Sequence, residues 1–246
     1  MSSFLTDKLE LTDIRAGRAD PEYVDLLRRV LAIQSDCEIG GPHLYVEKML
    51  PEAPQKLDRL VVARTSAEEI DHFRKFAVLC GDLGVDTTYI LQRNNPQRYL
   101  EAFRGTINTW EDFAVFGFLI DRVGRYQLEE FIGCTYAPLA AVVEHPSRVM
   151  DEEAGHIDYG TTRTAELAAM GGEQKERIQA SVDYWYRTGL DMFGSSTSKR
   201  AERYRHFGLK RRTNEEARQQ YIAEVDPIIE RMGLRVPDKT KGRKYT

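Results

Sequence analysis

Apolar residues recur every three to four positions along most of the chain, and this period is typical of amphipathic α-helices. A first long helix is predicted to begin at the Asp20-Pro21 cap and to end near residues 40–42, where two glycines precede a proline. No segment shows the two-residue alternation of a strand. The other predicted helices cover about residues 54–81, 109–137, 147–170, 173–193 and 213–232, with a short one within 85–107. The pattern therefore predicts an all-α fold with additional helices after the first four long ones.

Chain composition divides the sequence into three parts. Residues 1–20 carry charges throughout and are expected to form an N-terminal arm. Residues 21–237 contain all the predicted helices and are expected to form one helical domain. Residues 238–246 are polar and basic, and they are expected to be a flexible tail.

Two Glu-x-x-His motifs fall on the second and the fourth long helix. They are Glu69 to His72 and Glu153 to His156, and no other histidine of the five has a glutamate three residues before it. Residues at positions i and i+3 of a helix point to the same side, so each motif presents one carboxylate and one imidazole together. Sites rich in carboxylates with one histidine per metal suit iron or manganese, whereas zinc more often recruits cysteine or several histidines.

One further carboxylate precedes each motif by a similar interval. Glu38 precedes Glu69, and Asp121 precedes Glu153, by nearly the same number of positions. This interval, about thirty residues, fits one helix, a short turn and a second helix that returns to the same depth. The repeated spacing predicts a ferritin-like four-helix bundle with a di-metal carboxylate site. Its predicted ligands are Glu38, Glu69, His72, Asp121, Glu153 and His156.

Helical periodicity distinguishes the two adjacent acids at the start of each motif. Glu69 and Glu153 each lie on an apolar stripe with the spacing of one helical turn. Their neighbours Glu68 and Glu152 align with charged residues and are predicted to face solvent. A buried carboxylate is costly unless it is paired or bound to a metal, which favours the two acids on the apolar stripes as ligands.

The same reasoning selects one acid on the first and on the third long helix. Glu38 follows an apolar stripe, whereas Asp36 aligns with charged residues and is predicted to face solvent. Asp121 directly follows a run of apolar residues and is the predicted ligand of the third helix. Glu130 lies on the opposite side of that helix from Asp121. Glu129 remains open as an acid that flanks the site.

Charge and cysteine content exclude several classes of protein. A formal net charge of −4 argues against a nucleic-acid-binding protein. The three cysteines are odd in number and lack metal-binding spacing, so they are expected to be buried thiols in a reducing cytoplasm. Residues 1–20 contain no apolar segment like that of a signal peptide. No apolar run long enough to span a bilayer is present, so no membrane span is predicted.

Several short motifs place the chain in a known family. They lie at residues 37–40, 68–72, 117–121, 135–138, 152–156, 192–194, 210–216 and 232–238. Over about residues 22–237 the chain resembles catalytic members of the ferritin-like phenylacetate-catabolism family. The third-helix ligand of that family is also an aspartate, which supports Asp121.

The resemblance implies a function that the spacing alone does not define. It implies a site with two iron ions, with manganese as an alternative, that uses O₂ to oxidise an aromatic acyl-CoA thioester. It also implies a separate flavin and iron–sulfur reductase as the electron donor and, as a further partner, a homologous ferritin-like structural subunit. Two alternatives remain: a ferritin-like protein that stores iron or handles peroxide, and a non-catalytic structural subunit.

A basic segment lies between residues 199 and 212, where one acid, Glu202, accompanies seven basic residues. Arginine and lysine bind phosphate oxygens, so this segment is a candidate site for the phosphates of coenzyme A. Within it, Lys210, Arg211 and Arg212 are the predicted substrate-binding residues. The alternative is a solvated surface or a docking face for an acidic partner.

Overall fold

The computed structural model describes residues 8–245, and within that range it contains ten α-helices and no β-strand. This confirms the predicted all-α class. None of the helices in the described range is both long enough and apolar enough to cross a membrane. The helices are α1 (Leu11–Arg15), α2 (Pro21–Glu52), α3 (Lys56–Asp82), α4 (Thr88–Leu91), α5 (Trp110–Glu129), α6 (Ala137–Val143), α7 (Val149–Ala169), α8 (Gly172–Met192), α9 (Lys199–His206) and α10 (Asn214–Arg231).

Four long helices form the bundle, with α2 packed along α3 and α5 packed along α7. The later helices share the same core, since α8 and α10 both pack against α5. Phe116 of α5 contacts Trp185 of α8 edge-on, with ring centroids 5.1 Å apart. Tyr221 of α10 donates a hydrogen bond to the backbone oxygen of Leu119, at 3.1 Å. The C-terminal helices are therefore part of the same domain core as the bundle.

The first half of the bundle has the predicted hairpin geometry. Glu38 lies about four helical turns before the end of α2, and Glu69 lies about four turns after the start of α3. The connection between the two helices is short, since α2 ends at Glu52 and α3 begins at Lys56. The turn therefore brings the two carboxylates side by side at the same depth.

The second half reaches a similar spacing by a different route. The predicted third helix was expected to continue to residue 137, but α5 ends at Glu129. The connection to α7 contains α6, so no short turn joins the two halves of this pair. Asp121 lies about two turns before the end of α5, and Glu153 lies about one turn after the start of α7. The short turn predicted for this half is wrong.

Helix α2 continues well beyond its predicted end. Gly40, Gly41 and Pro42 lie inside the helix, which ends at Glu52. A Cβ atom on Gly40 would lie 3.0 Å from the ring of Phe103, so glycine here permits a close approach of the following connection. Pro42 has no N–H to donate to the backbone carbonyl of Glu38, which the helix tolerates. Packing outweighs the weak helix propensity of these residues.

Helices α5 and α7 are in close backbone contact at Gly117 and Gly160. A Cβ atom on Gly160 would lie only 2.8 Å from the Cα atom of Gly117. Gly160→Ala is therefore expected to push the two helices apart and to lower the free energy of unfolding by about 1–3 kcal/mol. Urea unfolding measures this change. The matched control is Gly155→Ala on the same helix, where no atom lies within 4 Å of the added Cβ. An equal loss in both variants would contradict the close approach.

The ends of the described chain contact the helical domain. The backbone N–H of Leu9 donates to Thr135 O at 2.7 Å, so this part of the predicted arm is anchored. The backbone N–H groups of Lys244 and Tyr245 donate to the carboxylate of Asp191 at 2.9 and 3.1 Å. Residues 1–7 and residue 246 lie outside the described range. The domain boundaries at residues 20 and 237 stay a prediction.

Candidate metal centre

Four of the predicted ligands form a compact buried cluster. Glu38, Glu69, His72 and Glu153 each place one ligand atom within 4.8 Å of the others. They come from α2, α3 and α7. All four side chains are buried, as the choice of the apolar helical faces predicts.

The other two predicted ligands lie next to this cluster. His156 is buried, and its Nδ1 atom lies 3.2 Å from Glu69 Oε1. Asp121 lines the same cavity as Glu38, Glu69 and Glu153. It also lines a smaller adjoining cavity together with His156. The fold therefore brings all six predicted residues to one place.

The two Glu-x-x-His motifs contact each other reciprocally. His72 Nδ1 lies 3.3 Å from Glu153 Oε1, and His156 Nδ1 lies 3.2 Å from Glu69 Oε1. The two imidazole rings are 6.3 Å apart. Each histidine therefore faces the motif glutamate of the other helix. This is the local two-fold relation that the repeated motif predicts.

The outer acids, Glu68 and Glu152, directly precede the two motifs, and each contacts the histidine of the other motif. His72 Nε2 lies 2.9 Å from Glu152 Oε2, and His156 Nε2 lies 2.8 Å from Glu68 Oε2. The prediction that Glu68 and Glu152 face solvent is wrong, because both carboxylates are half-buried and bound to the opposite helix. Periodicity within one helix does not show what a long side chain reaches on its neighbour. The signal in the sequence is that both motifs begin with two successive glutamates.

A third acid that was predicted to face solvent is fully buried. Asp36 accepts hydrogen bonds from Arg98 Nη1 at 2.9 Å and from the backbone N–H of Tyr99 at 2.7 Å. Arg98 is also fully buried. The ion pair of Asp36 and Arg98 therefore holds the segment before α5 against α2, close to Glu38. Its partner lies 62 residues away in the chain, which explains why helix periodicity missed it.

Gln34 is a second residue that the sequence interpretation missed. It lies one helical turn before Glu38, and its Nε2 atom donates to Glu38 Oε1 at 2.5 Å. Glu38 Oε2 lies 3.4 Å from His72 Nδ1. The Gln34 amide therefore orients the Glu38 carboxylate so that one oxygen faces the cluster. Its i, i+4 spacing to Glu38 is the available signal.

Burial and mutual repulsion shift the pKa values of the cluster. Burial, together with the charges of Glu153 and Glu38, raises the pKa of Glu69 well above its usual range. Burial and the charge of Glu153 raise the pKa of Asp121 to about 7. Burial lowers the pKa of His72, but the carboxylates of Glu153 and Glu38 outweigh it, and that pKa rises to about 12. These carboxyl groups therefore resist being ionised together, and a bound cation would relieve their mutual repulsion.

The donor atoms fit a metal of the iron or manganese class. The buried Nδ1 atoms of His72 and His156 have no hydrogen-bond partner among residues 8–245. Buried polar atoms are rarely left unpaired, and an imidazole nitrogen is a good metal ligand. The Nε2 atoms are held by Glu152 and Glu68, the arrangement that usually orients metal-bound histidines. The remaining ligand atoms are carboxylate oxygens, which suit iron and manganese.

The outer acids provide a test of this arrangement. Glu152→Gln removes the charge opposite His72 and is expected to weaken iron binding by about 10-fold to 100-fold, since partners of metal-bound histidines have effects of this size. Competition with a chelator measures the affinity. Asp151→Asn, an exposed neighbour on the same helix, is the matched control. If both variants hold iron as tightly as the parent, Glu152 does not support the site.

The rival acids of the third helix lie outside the centre. Glu130 is buried, but its Oε2 atom accepts the backbone N–H groups of Arg211 and Arg212 at 2.6 and 2.9 Å. Glu129 pairs with Arg125 at 3.4 Å and with Arg212 at 3.3 Å. Neither acid lines the cavity. The contacts of the described residues therefore do not support Glu129 as an acid that flanks the site.

A cavity of about 260 Å³ leads from the surface to the buried carboxylates. Its inner end contains Glu38, Glu69, Asp121 and Glu153. The exposed residues Arg29 and Arg200 also line it and so mark its mouth. Apolar side chains form most of the wall between the two ends. They include Phe103, Phe116, Ile120, Leu128, Phe131 and Met192.

The structure separates the three predicted substrate-binding residues. Lys210 lines the cavity and donates to Gln127 Oε1 at 2.7 Å, and burial lowers its pKa. Arg211 and Arg212 do not line it. The Arg211 guanidinium donates to the backbone oxygen of Glu129 at 2.6 Å, and that of Arg212 pairs with Glu129 and Glu130. Of the three predicted residues, Lys210 alone therefore lines the cavity, because the end of α5 holds the two arginines.

The chain is similar to known proteins over most of its length. The sequence model of a family described as phenylacetic acid catabolic protein matches residues 21–245. One of the subunits of 1,2-phenylacetyl-CoA epoxidase from Escherichia coli K12 is 26% identical, over 80% of this chain and 67% of that protein. Component B of benzoyl-CoA oxygenase from Aromatoleum evansii is 27% identical, over 79% of this chain and 46% of that protein. The chain thus spans about half the length of the second relative.

Proposed function

The chain belongs to the phenylacetic acid catabolic protein family, and we propose that it is the catalytic subunit of a di-iron oxygenase that acts on an acyl-CoA thioester. The observation that carries the proposal is the buried cluster of Glu38, Glu69, His72 and Glu153, with Asp121 and His156 beside it, next to the inner end of a cavity with a basic mouth. Both relatives are named as oxygenase or epoxidase components with CoA thioesters in their names.

Different residues have different proposed roles at the centre. We propose that Glu38, Glu69, His72, Asp121, Glu153 and His156 hold the metal ions. Bound iron would supply the electrons and the binding position for O₂, chemistry that zinc lacks. Glu68 and Glu152 orient the two imidazoles from behind. The apolar cavity wall excludes water from the reacting groups.

The cavity suits an aromatic acyl group whose coenzyme stays near the surface. Phe103, Phe116 and Phe131 line the wall, and aromatic side chains pack well against an aromatic ring. Arg29 and Arg200 form no ion pair with an acidic side chain in the described part of the chain, so their charges are free for phosphate groups. Lys210 also lines the cavity but is less exposed than Arg29 and Arg200. In the proposed complex it would lie between the phosphates of the coenzyme and the acyl group. This distribution argues against iron storage, which requires neither feature.

The proposal includes two protein partners that the family resemblance implies. One is a reductase with flavin and iron–sulfur centres, and the other is a homologous ferritin-like structural subunit. An apolar surface on α3 supports a helical partner, since Leu57, Leu60 and Val78 are 67%, 66% and 65% exposed. Exposed apolar residues of this size that lie on one helix often mark a protein interface.

Oxygen incorporation provides the direct test. Iron-loaded, chemically reduced protein is mixed with labelled O₂ and a panel of acyl-CoA thioesters, and the products are analysed by mass spectrometry. We expect two irons per chain and one labelled oxygen atom in an aromatic thioester product. Many irons per chain without product would instead indicate storage. Absence of both iron and product would indicate a structural subunit.

Charge reversal at the cavity mouth tests the substrate assignment. Arg29→Glu with Arg200→Glu is expected to weaken thioester binding by roughly 10-fold to 100-fold, because charge-assisted hydrogen bonds to phosphate are lost. The affinity of the parent should fall as salt increases, because ions screen these contacts. Equilibrium binding of phenylacetyl-CoA measures both effects.

The matched control is Arg211→Glu, an exposed residue of the same basic segment that lies outside the cavity. It is expected to leave thioester binding close to that of the parent, and both variants should keep their iron. If the mouth variant binds thioester normally but loses its helical partner, the basic surface is a docking face.

A further inference from the structure

A second cavity, with a volume of about 470 Å³, lies between α8, the segment before α5 and the end of the described chain. It shares only Leu100 and Met192 with the first cavity, the one that leads to the buried carboxylates. Five charged residues line the second cavity, and none of them lines the first. They are Glu101, Arg104, Arg187, Asp191 and Lys244. The second cavity is therefore a separate space with its own charged groups.

The two acids of the second cavity already have partners in the C-terminal segment, residues 242–245. Asp191 accepts the backbone N–H groups of Lys244 and Tyr245 at 2.9 and 3.1 Å, and its Oδ1 atom lies 3.4 Å from Arg243 Nε. Glu101 pairs with Lys244 Nζ at 3.0 Å. These contacts hold the C-terminal segment in place as one wall of the cavity.

Two arginines of the second cavity keep a charge that no acid compensates. Arg187 of α8 is half-buried, and its guanidinium forms neither an ion pair nor a hydrogen bond within residues 8–245. Arg104 is exposed and forms no ion pair in that range. Its Nε and Nη2 atoms donate to the backbone oxygens of Arg98 and Tyr99 at 2.7 and 3.1 Å, which fixes the guanidinium. The cavity therefore carries a surplus of positive charge on two positioned groups.

Tyrosine side chains line the same space from different elements. Tyr184 belongs to α8 and Tyr245 to the C-terminal segment, and they are 44% and 37% exposed. Tyr99 comes from the segment before α5. Aromatic rings stack on nucleobases of any kind, and guanidinium groups bind phosphate oxygens. The second cavity thus combines the groups that recognise the two halves of a nucleotide.

We propose that the second cavity binds a nucleotide, with its phosphates at Arg104 and Arg187 and its base against the exposed tyrosines. The nucleotide is either a free molecule or the nucleotide end of a coenzyme, since both present the same phosphates and base. The C-terminal segment covers the bound nucleotide from one side. This inference goes beyond the proposed function and does not assume it, because no residue of the metal centre lines the second cavity.

Binding of ADP to the full-length protein tests the inference. ADP, adenosine and inorganic pyrophosphate are titrated separately, and the affinities are measured by calorimetry. ADP should bind at least about tenfold more tightly than either fragment, because it alone offers both base and phosphates. Arg187→Gln should weaken ADP binding by about 10-fold to 100-fold, the effect of one hydrogen bond to a charged group. The variant should fold normally, since the Arg187 guanidinium forms no bond within the described chain.

A matched control and a second readout locate the ligand. Arg231 is an exposed arginine that lines neither cavity, so Arg231→Gln should bind ADP as the parent does. Trypsin cleaves after Arg243 and Lys244 in the C-terminal segment. ADP should slow this cleavage in the parent but not in Arg187→Gln, because the segment forms one wall of the site.

Competition with phenylacetyl-CoA distinguishes the two sources of the nucleotide. Displacement of ADP by the thioester, with weaker thioester binding in Arg187→Gln, would support the nucleotide end of a coenzyme, whereas simultaneous binding would support a free nucleotide. No ADP binding by the parent, or equal affinity in the parent and in Arg187→Gln, would overturn the inference. Loss of ADP binding only in Arg29→Glu with Arg200→Glu would also overturn it, because the nucleotide would then occupy the mouth of the first cavity.

Discussion

Replacement of Glu69 by alanine is expected to remove most of the bound iron while the helical bundle stays folded. Glu69 contacts His156 Nδ1 at 3.2 Å and lies within 4.8 Å of Glu38, His72 and Glu153, so its carboxylate is positioned between the two motifs. We expect the iron affinity to fall by more than about 100-fold, since even the partners of metal ligands contribute 10-fold to 100-fold. His156→Ala should behave in the same way. Iron analysis and circular dichroism provide the measurements.

The metal-free proteins supply an additional readout. Burial and neighbouring charges raise the pKa of Glu69 well above its usual range, so its removal relieves repulsion when no cation is bound. Thermal unfolding of metal-free Glu69→Ala should therefore begin no earlier than that of the parent. Asp158→Ala, an exposed residue two positions after His156, is the matched control and should keep its iron. Full iron content in Glu69→Ala and His156→Ala would disprove the assignment.

Replacement of Asp121 by asparagine is expected to abolish substrate oxidation, whereas Glu130→Gln is expected to preserve it. Asp121 lines the cavity together with the other acids, and asparagine lacks the charge that a metal ligand provides. We expect single-turnover oxidation to fall by at least about 100-fold, in line with the loss of a direct ligand. Product formed after one addition of O₂ to reduced protein is the measurement.

Glu130→Gln should affect stability instead. Its carboxylate accepts the backbone N–H groups of Arg211 and Arg212 and pairs with the Arg212 guanidinium. Weakening these buried contacts should lower the free energy of unfolding by about 1–3 kcal/mol. Equal losses of oxidation in the two variants, or the reverse order, would show that the third-helix ligand has been misassigned.

The ligand pairs could be predicted from the sequence because their geometry is local. A helix places residues i and i+3 on one side whatever surrounds it, so Glu69 and His72 face the same way before any tertiary contact exists. The apolar stripe then shows which acid faces inwards, and Glu38 and Glu153 are indeed buried. The same logic failed for Asp36, whose burial depends on Arg98, a partner from a distant segment.

Helix ends were harder to predict than helix positions. The glycines and the proline at 40–42 are usual stop signals, but α2 passes through them, and Phe103 packs where a side chain of residue 40 would lie. The predicted start of the last helix near residue 213 is confirmed, and the Thr213 side chain caps it by accepting the N–H of Glu216 at 3.0 Å. A cap is satisfied by atoms of neighbouring residues, whereas the continuation of α2 depends on a contact with a later segment.

The helical class, the two Glu-x-x-His motifs and the acids that precede them could be predicted from the sequence, because each depends on spacing within one or two helices. The groups that surround these candidate ligands could not, because they depend on how the helices pack. Glu152 contacts His72, which lies 80 residues away in the chain, and Arg29 and Arg200 come from distant segments to line one cavity. The packing of α5 against the segment before α10 also holds Arg211 and Arg212 outside the cavity, whereas Lys210 lines it. Helical periodicity orients a side chain relative to its own helix, and only the packing of helices shows what it meets there.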